Sequence, residues 1–159
     1  MRLVVQRVIK AKVNVRGKTV GKIDKGLFVL VGVAEGDTEK DAENLAEKLA
    51  KLRILADEKG KMNLSIKDLP AGRQAVGRKI LAVSQFTLYG DTSKGNRPSF
   101  IKAAEPGLAE KIYNHFVEKL KELDVKVETG KFGEYMEIEA ELDGPVTLLL
   151  ESSKENSRS

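Results

Sequence analysis

The 159-residue chain contains no cysteine, no tryptophan and a single histidine, His115. The first absence excludes disulfides, thiolate metal sites and a cysteine nucleophile, and it points to a cytoplasmic setting. With one histidine, a zinc site built on several His or Cys ligands is excluded. A Ser-His-Asp triad would have to be assembled around His115. Aromatic residues make up 5% of the chain, too few for a surface that stacks successive bases. Long apolar runs are missing as well. The longest uncharged one, residues 27–34, has a strand's length and falls well short of the ~18 residues a membrane helix needs. The opening Met-Arg-Leu-Val-Val-Gln-Arg-Val lacks the apolar core and small-residue cleavage site of a secretory leader. No Gly-x-Gly-x-x-Gly or Walker-type phosphate loop occurs, so nothing supports a nucleotide cofactor. An enzyme made from this chain must work without the usual nucleophiles and ligands.

What is present is a globular composition, 41% apolar and 33% charged, of one domain's length. The net charge of +4 is unevenly spread. Residues 1–34 hold eight basic groups against Asp24, and residues 73–104 hold six against Asp91. Residues 124–151 hold two basic groups against eight acidic ones. Two basic zones suit a polyanion such as RNA, and ordinary solvated lysines would give the same count.

Hydrophobic periodicity divides the chain. Residues 2–9 and 12–15 alternate as strands, and a turn at Arg16-Gly17-Lys18 returns the chain through 19–23. Residues 27–34 are apolar throughout, which predicts a strand covered on both faces. Thr38, three residues before Asp41, predicts a capped helix with Ala42, Leu45, Ala46, Leu49 and Leu52 on one stripe. Residues 57–60 read as a turn. Pro106 starts a second helix that aligns Leu108, Ile112, Phe116, Leu120 and Leu123, with His115 beside them. Residues 79–89 read as a buried strand followed by a polar loop, and further strands are expected at 125–129, 134–142 and 145–151. Segment 70–77 has a loop's composition and reads as an insertion. The whole is an α/β chain with a mainly antiparallel sheet, one domain over residues 1–151 and a frayed tail over 152–159.

Chemistry is suggested at few places. Ser84-Gln85-Phe86-Thr87-Leu88 puts polar groups into an apolar strand, where an unpartnered hydroxyl or amide costs roughly 1–3 kcal/mol. Such groups need a ligand or a structural partner. Gly144-Pro145 between two strands reads as a turn. Glu137, Glu139 and Glu141 share one strand face, either as a metal site or as a solvated row. The loop Lys94-Gly95-Asn96-Arg97 presents cations and backbone N–H groups that suit a phosphate.

Five motifs, in order and spacing, give the chain a resemblance to the D-aminoacyl-tRNA deacylases, also called D-tyrosyl-tRNA deacylases. They are the opening Met-Arg-Leu-Val-Val-Gln-Arg-Val, Gly60-Lys-Met-Asn-Leu-Ser, Ser84-Gln-Phe-Thr-Leu-Tyr-Gly-Asp, Gly95-Asn-Arg-Pro-Ser-Phe and Gly144-Pro-Val-Thr. The resemblance implies a β/β/α-layered half-barrel with two main helices on one side, and a cytoplasmic homodimer without metal or cofactor. It implies hydrolysis of the ester between a D-amino acid, or mischarged glycine, and the tRNA 3′ end. Ser84, Gln85, Leu88, Pro98, Ser99 and Phe100 would bind substrate. The backbone N–H groups of Phe86 and Thr87 would stabilise the oxyanion, with the Thr87 hydroxyl as a rival nucleophile. Gly144, Pro145, Val146 and Thr147, with a cis Gly-Pro bond and steadied by Arg7, would enter the partner's pocket and reject L-amino acids. The family carries Asn two residues before that glycine, whereas this chain has Leu142, a departure that bears on the Gly-Pro loop. The alternative from charge alone is a non-catalytic tRNA- or RNA-binding module.

Overall fold

The computed structural model describes residues 1–68 and 78–152. The expected insertion at 70–77 and residues 153–159 of the expected tail lie outside these. Ser152 lies within them, its N–H donating to the Met1 carbonyl at 2.9 Å.

One long strand organises the sheet. β1 (Arg2–Val15) joins into a single element what the alternation divides in two. One of its edges takes β3 (Gly26–Gly32) along the first half and β2 (Lys18–Ile23) along the second, both antiparallel. Its other edge takes β8 (Glu137–Glu151), also antiparallel. Beyond β3 lie β6 (Lys79–Ser84) and β7 (Val127–Thr129), in parallel pairing. The sheet is therefore mainly antiparallel with a parallel flank. It curls until β2 lies over β7, and Gly21 permits that approach: a Cβ there would sit 2.3 Å from the Thr129 carbonyl oxygen.

Because the sheet is curled, its strands bury residues on both faces. Val8, Val13, Ile23, Phe28 and Leu81 fill the inside. Leu3, Leu27, Val29 and Ile80 pack outward with two helices, α1 (Glu39–Lys51) and α2 (Pro106–Glu122). Thr38 caps α1 as expected: its hydroxyl accepts from the Asp41 N–H, and its own N–H donates to the Asp41 carboxylate at 2.8 Å. Glu105 caps α2, accepting from the N–H groups of Leu108 and Gly107 at 2.6 and 3.1 Å, with Pro106 at the first helical position. The turn at Asp57 closes a small hairpin of β4 (Leu55–Ala56) and β5 (Met62–Leu64).

Two expectations need correction. The strand expected over 79–89 ends at Ser84, and a 3-10 helix follows over Phe86–Tyr89. Phe86 and Leu88, two residues apart, mimic strand alternation in a turn too short to show its own period. The strands expected at 134–142 and 145–151 are one strand with a bulge. Thr147 pairs with Gln6 and Leu142 with Val8, so residues 143–146 stand opposite Arg7 alone.

Candidate active site

The apolar strand β6 is held on both sides, and its end delivers Ser84 to the open end of the curled sheet. Gln85 is extended, and its N–H donates to the Val31 carbonyl at 2.8 Å. The chain then winds into the 3-10 helix, where the Leu88 N–H reaches the Gln85 carbonyl at 3.4 Å. The N–H groups of Phe86 and Thr87 precede that bond and meet no acceptor among the described residues. A cavity of about 760 Å³ opens here, lined by Ser84 through Thr87 together with Val31, Tyr113, Phe132 and Glu134. Its size and mainly apolar wall suit a small-molecule moiety.

The surroundings fix this corner. The Tyr113 hydroxyl donates to the Ala82 carbonyl at 2.9 Å, and the Gly130 N–H donates to the same oxygen at 3.1 Å. Burial raises the Tyr113 pKa far above neutrality, so the hydroxyl keeps its proton and its bond. On the other side, Arg2 Nη1 donates to the Leu88 carbonyl at 2.7 Å while its guanidinium lies 4.8 Å from the Tyr89 ring centre. Burial pushes the Tyr89 phenol up to about 12. The Thr87 hydroxyl accepts from the Gln85 side-chain amide. An amide N–H cannot take the hydroxyl's proton, so this contact does not make Thr87 a nucleophile.

Leu88 lies outside the cavity wall, close against Gly32. Pro98, Ser99 and Phe100 are also outside it. Phe100 instead meets Phe86 edge-on, with ring centres 5.0 Å apart. Ser99 and Asp91 exchange backbone bonds of 2.8 and 2.9 Å. The hydroxyl and N–H of Ser93, together with Lys102, hold the Asp91 carboxyl well below the usual range. The 94–97 loop between them is exposed.

Arg7 grips the bulge in β8. Its Nε lies 3.2 Å from the Asp143 carbonyl oxygen and 3.1 Å from the Asp143 carboxylate, and its Nη1 donates to the Ile54 carbonyl at 3.0 Å. Gly144 has φ +129, and a Cβ there would lie 2.9 Å from Val146 N, so only glycine fits. The Gly144–Pro145 bond is cis. Val146 packs against the helix-side core, and Thr147 accepts from the Gln6 amide at 3.4 Å. Leu142 keeps its strand pairing with Val8. Gly144 stands opposite Arg7, three strands across the sheet from β6 and four residues short of Ser84 in register. None of residues 144–147 lines the cavity of its own chain.

Other candidates lie elsewhere. His115 meets Glu43 at 3.0 Å across the two helices, away from the cavity. Lys10 and Lys12 of β1 lie 3.4 and 3.2 Å from Glu141 and Glu139, which makes the acidic row one side of a cross-strand charge ladder. Among the described residues, no three His, Cys, Asp or Glu side chains group as a metal site. No described helix is long and apolar enough to cross a membrane. The sequence did not reveal Tyr113, Phe132, Glu134, Tyr135 and Met136 as cavity residues. Only Tyr113 left a signal, four residues from both Ala109 and Val117 on the buried face of α2.

The family model described as D-Tyr-tRNA(Tyr) deacylase matches residues 4–151. A D-aminoacyl-tRNA deacylase of Thermosipho melanesiensis is 57% identical over 155 residues, covering 97% of this chain and 99% of the relative. One of Thermotoga petrophila is 55% identical over 154 residues, with 97% and 99% covered. Among solved structures, one titled c-Myc DNA Unwinding Element Binding Protein superposes with TM-score 0.85 at 40% identity, covering 96% of this chain and 99% of its own. A probable eukaryotic D-amino acid tRNA deacylase shares the fold, with TM-score 0.72 at 16% identity, covering 94% and 97%. On the family model and these identities, the chain belongs to the D-Tyr-tRNA(Tyr) deacylase family.

Proposed function

We propose that the chain hydrolyses the ester linking a D-amino acid, or mischarged glycine, to the 3′-terminal ribose of tRNA in the cytoplasm. The observation that carries this reading is the pair of unengaged N–H groups of Phe86 and Thr87 beside a mainly apolar cavity. An aminoacyl ester is already activated, and its neighbouring ribose 2′-hydroxyl can assist the attack. The protein then has to orient the carbonyl and stabilise the charge that develops on its oxygen, which backbone N–H groups do without a His or Cys. Water adds to the carbonyl carbon, the oxyanion collapses, and the ribose oxygen leaves with a proton from that water. Ser84 and Gln85 line the cavity beside these donors and would bind the aminoacyl group.

Rejection of L-amino acids falls to Gly144 and Pro145 of a second copy, held by Arg7. Two observations support this: the absence of residues 144–147 from the wall of their own chain's cavity, and the state of β8. Among the described residues β8 pairs with β1 alone, and its Leu148 and Leu149 are 37% and 57% exposed. An apolar strand edge of this kind is suited to a second copy. A backbone wedge discriminates by clash, and ~10⁴-fold preference needs about 5.5 kcal/mol.

The test is deacylation of matched D- and L-tyrosyl-tRNA with EDTA present throughout. Rapid loss of the D-ester with the L-ester spared is the expected result. Binding of tRNA with neither ester hydrolysed would overturn it in favour of a non-catalytic tRNA-binding module.

A further inference from the structure

We propose that Arg2 is a positioning residue for the oxyanion site: it holds the far end of the 3-10 helix over Phe86–Tyr89 and so sets the direction of the Phe86 and Thr87 N–H groups. The inference rests on the deacylase reading above. Arg2 does not line the cavity, so it acts through the backbone of the turn.

A short 3-10 turn holds itself poorly, and one that carries catalytic N–H groups needs outside ties. Its own bond from the Leu88 N–H to the Gln85 carbonyl is 3.4 Å long. The Gly90 N–H then closes onto the Thr87 carbonyl at 3.0 Å, which ends the turn without tying it to the sheet. The entry is fixed by backbone, with the Gln85 N–H on the Val31 carbonyl at 2.8 Å. The exit has no such tie. Among the described residues no backbone N–H reaches the Leu88 carbonyl. Arg2 Nη1 supplies that donor at 2.7 Å.

The sheet is shaped to admit this contact. Arg2 of β1 pairs with Gly32 of β3. A Cβ on Gly32 would stand 3.0 Å from the Leu88 Cβ and 3.3 Å from the Gln85 carbonyl oxygen. The bare glycine therefore lets the turn settle on β3 within reach of Arg2 on the neighbouring strand. The guanidinium is itself oriented. Its Nε donates to the carboxylate of Glu151, the partner of Arg2 in β8, and its carbon lies 4.8 Å from the Tyr89 ring centre. One planar cation thus joins the end of β8, the aromatic ring that closes the turn and the Leu88 carbonyl. A lysine carries the charge but cannot make these three contacts together.

Without Arg2 the exit of the turn is released and the N–H pair loses its aim. A misplacement on the order of 1 Å can cost ~10²-fold in rate. The cavity wall that binds the aminoacyl group keeps its residues, so the loss belongs in kcat.

The test is the kinetics of Arg2→Lys and Arg2→Gln on D- and L-tyrosyl-tRNA, alone and combined with Phe86→Pro. Each Arg2 variant should lower kcat on the D-ester by ~10–10², with KM within about twofold of wild type. The D-over-L ratio should stay at the wild-type level, because the Gly-Pro wedge discriminates separately. In the Phe86→Pro background, Arg2→Gln should show only a fraction of its single-variant loss, since one of the groups it positions is gone. A merely structural brace predicts losses that multiply in full. Glu151→Gln, which unties the guanidinium from β8 and leaves the donor in place, should give a smaller loss of the same kind. Rates are compared below the lowest Tm of the set. Wild-type kcat in Arg2→Gln, full multiplication with Phe86→Pro, or a loss confined to KM as for a tRNA phosphate contact would overturn the assignment. Should Arg2→Gln fail to fold, wild-type kcat in Glu151→Gln overturns it. Wild-type inactivity on D-tyrosyl-tRNA would instead sink the deacylase reading itself.

Discussion

At the scale of single residues, the proposed site would separate a backbone role from a side-chain role within two adjacent positions. If the N–H groups do the work, Thr87→Ala keeps most of the activity, because its hydroxyl is occupied by the Gln85 amide. Phe86→Pro deletes one donor while keeping the helical start, since Gln85 before it is already extended and Phe86 occupies the first position. That substitution should cost ~10²–10³ in kcat, the loss seen when an oxyanion donor is removed. Phe86→Ala, which also loses the contact with Phe100 but keeps the N–H, separates ring from donor. Single-turnover rates on D-tyrosyl-tRNA check all three, and a large loss in Thr87→Ala alone would restore the hydroxyl as nucleophile. That Ser84 to Thr87 form part of a cavity wall was readable because Ser84, Gln85 and Thr87 interrupt an apolar run and so need either a ligand or a structural partner. Glu134 was not readable as part of the cavity wall: it sits in a loop tied to β6 through the Gly130 N–H bond to the Ala82 carbonyl, a contact between segments far apart in the chain.

At the scale of elements, local chemistry and long-range pairing divide what sequence discloses. Both helices were legible because their caps and stripes are written within a few residues, at Thr38 with Asp41 and at Pro106. The bulge in β8 was not, because it exists only relative to β1: four residues against Arg7 is a register fact, and register belongs to two strands. The two helices show a second non-local pattern. Glu39, Glu43 and Glu47 of α1 meet Lys111, His115 and Lys119 of α2 at 3.3, 3.0 and 3.8 Å, each set stepping by four residues. The bond from His115, followed by Lys40, lowers the Glu43 pKa below its ordinary value of 4.5. A carboxyl depressed by folding stabilises the fold above its unfolded pKa, and that contribution is lost as pH falls through the folded value. Glu43→Gln should therefore lower Tm at about pH 6, and the gap to wild type should close as pH drops towards about 3. A gap that persists unchanged in acid, measured by thermal unfolding across that range, would place the effect in packing instead.

At the scale of the whole molecule, the proposed function would make chirality a property of a pair of chains, because residues 144–147 do not line the cavity of their own chain. A two-fold dimer gives each cavity the wedge of the other chain, so the two functions can be placed on different chains and recombined. Pro145→Ala should relax the wedge and let L-tyrosyl-tRNA be hydrolysed alongside the D-ester. Phe86→Pro should cut hydrolysis by the ~10²–10³ argued above while its own Gly144-Pro145 stays intact. Co-expressed with an excess of Phe86→Pro chains, nearly every Pro145→Ala chain is paired with an intact wedge facing its working cavity. The inactive chain should then restore selectivity to the active one: L-hydrolysis per Pro145→Ala chain falls towards the wild-type level while D-hydrolysis persists. A wedge acting within its own chain predicts the opposite, since each Pro145→Ala cavity would keep its own altered wedge whatever its companion. L-hydrolysis that does not change with the ratio of the two chains, measured on purified mixed dimers, would locate the discriminating element inside the single chain. That residues 144–147 do not line the cavity of their own chain is the reason to expect the first result.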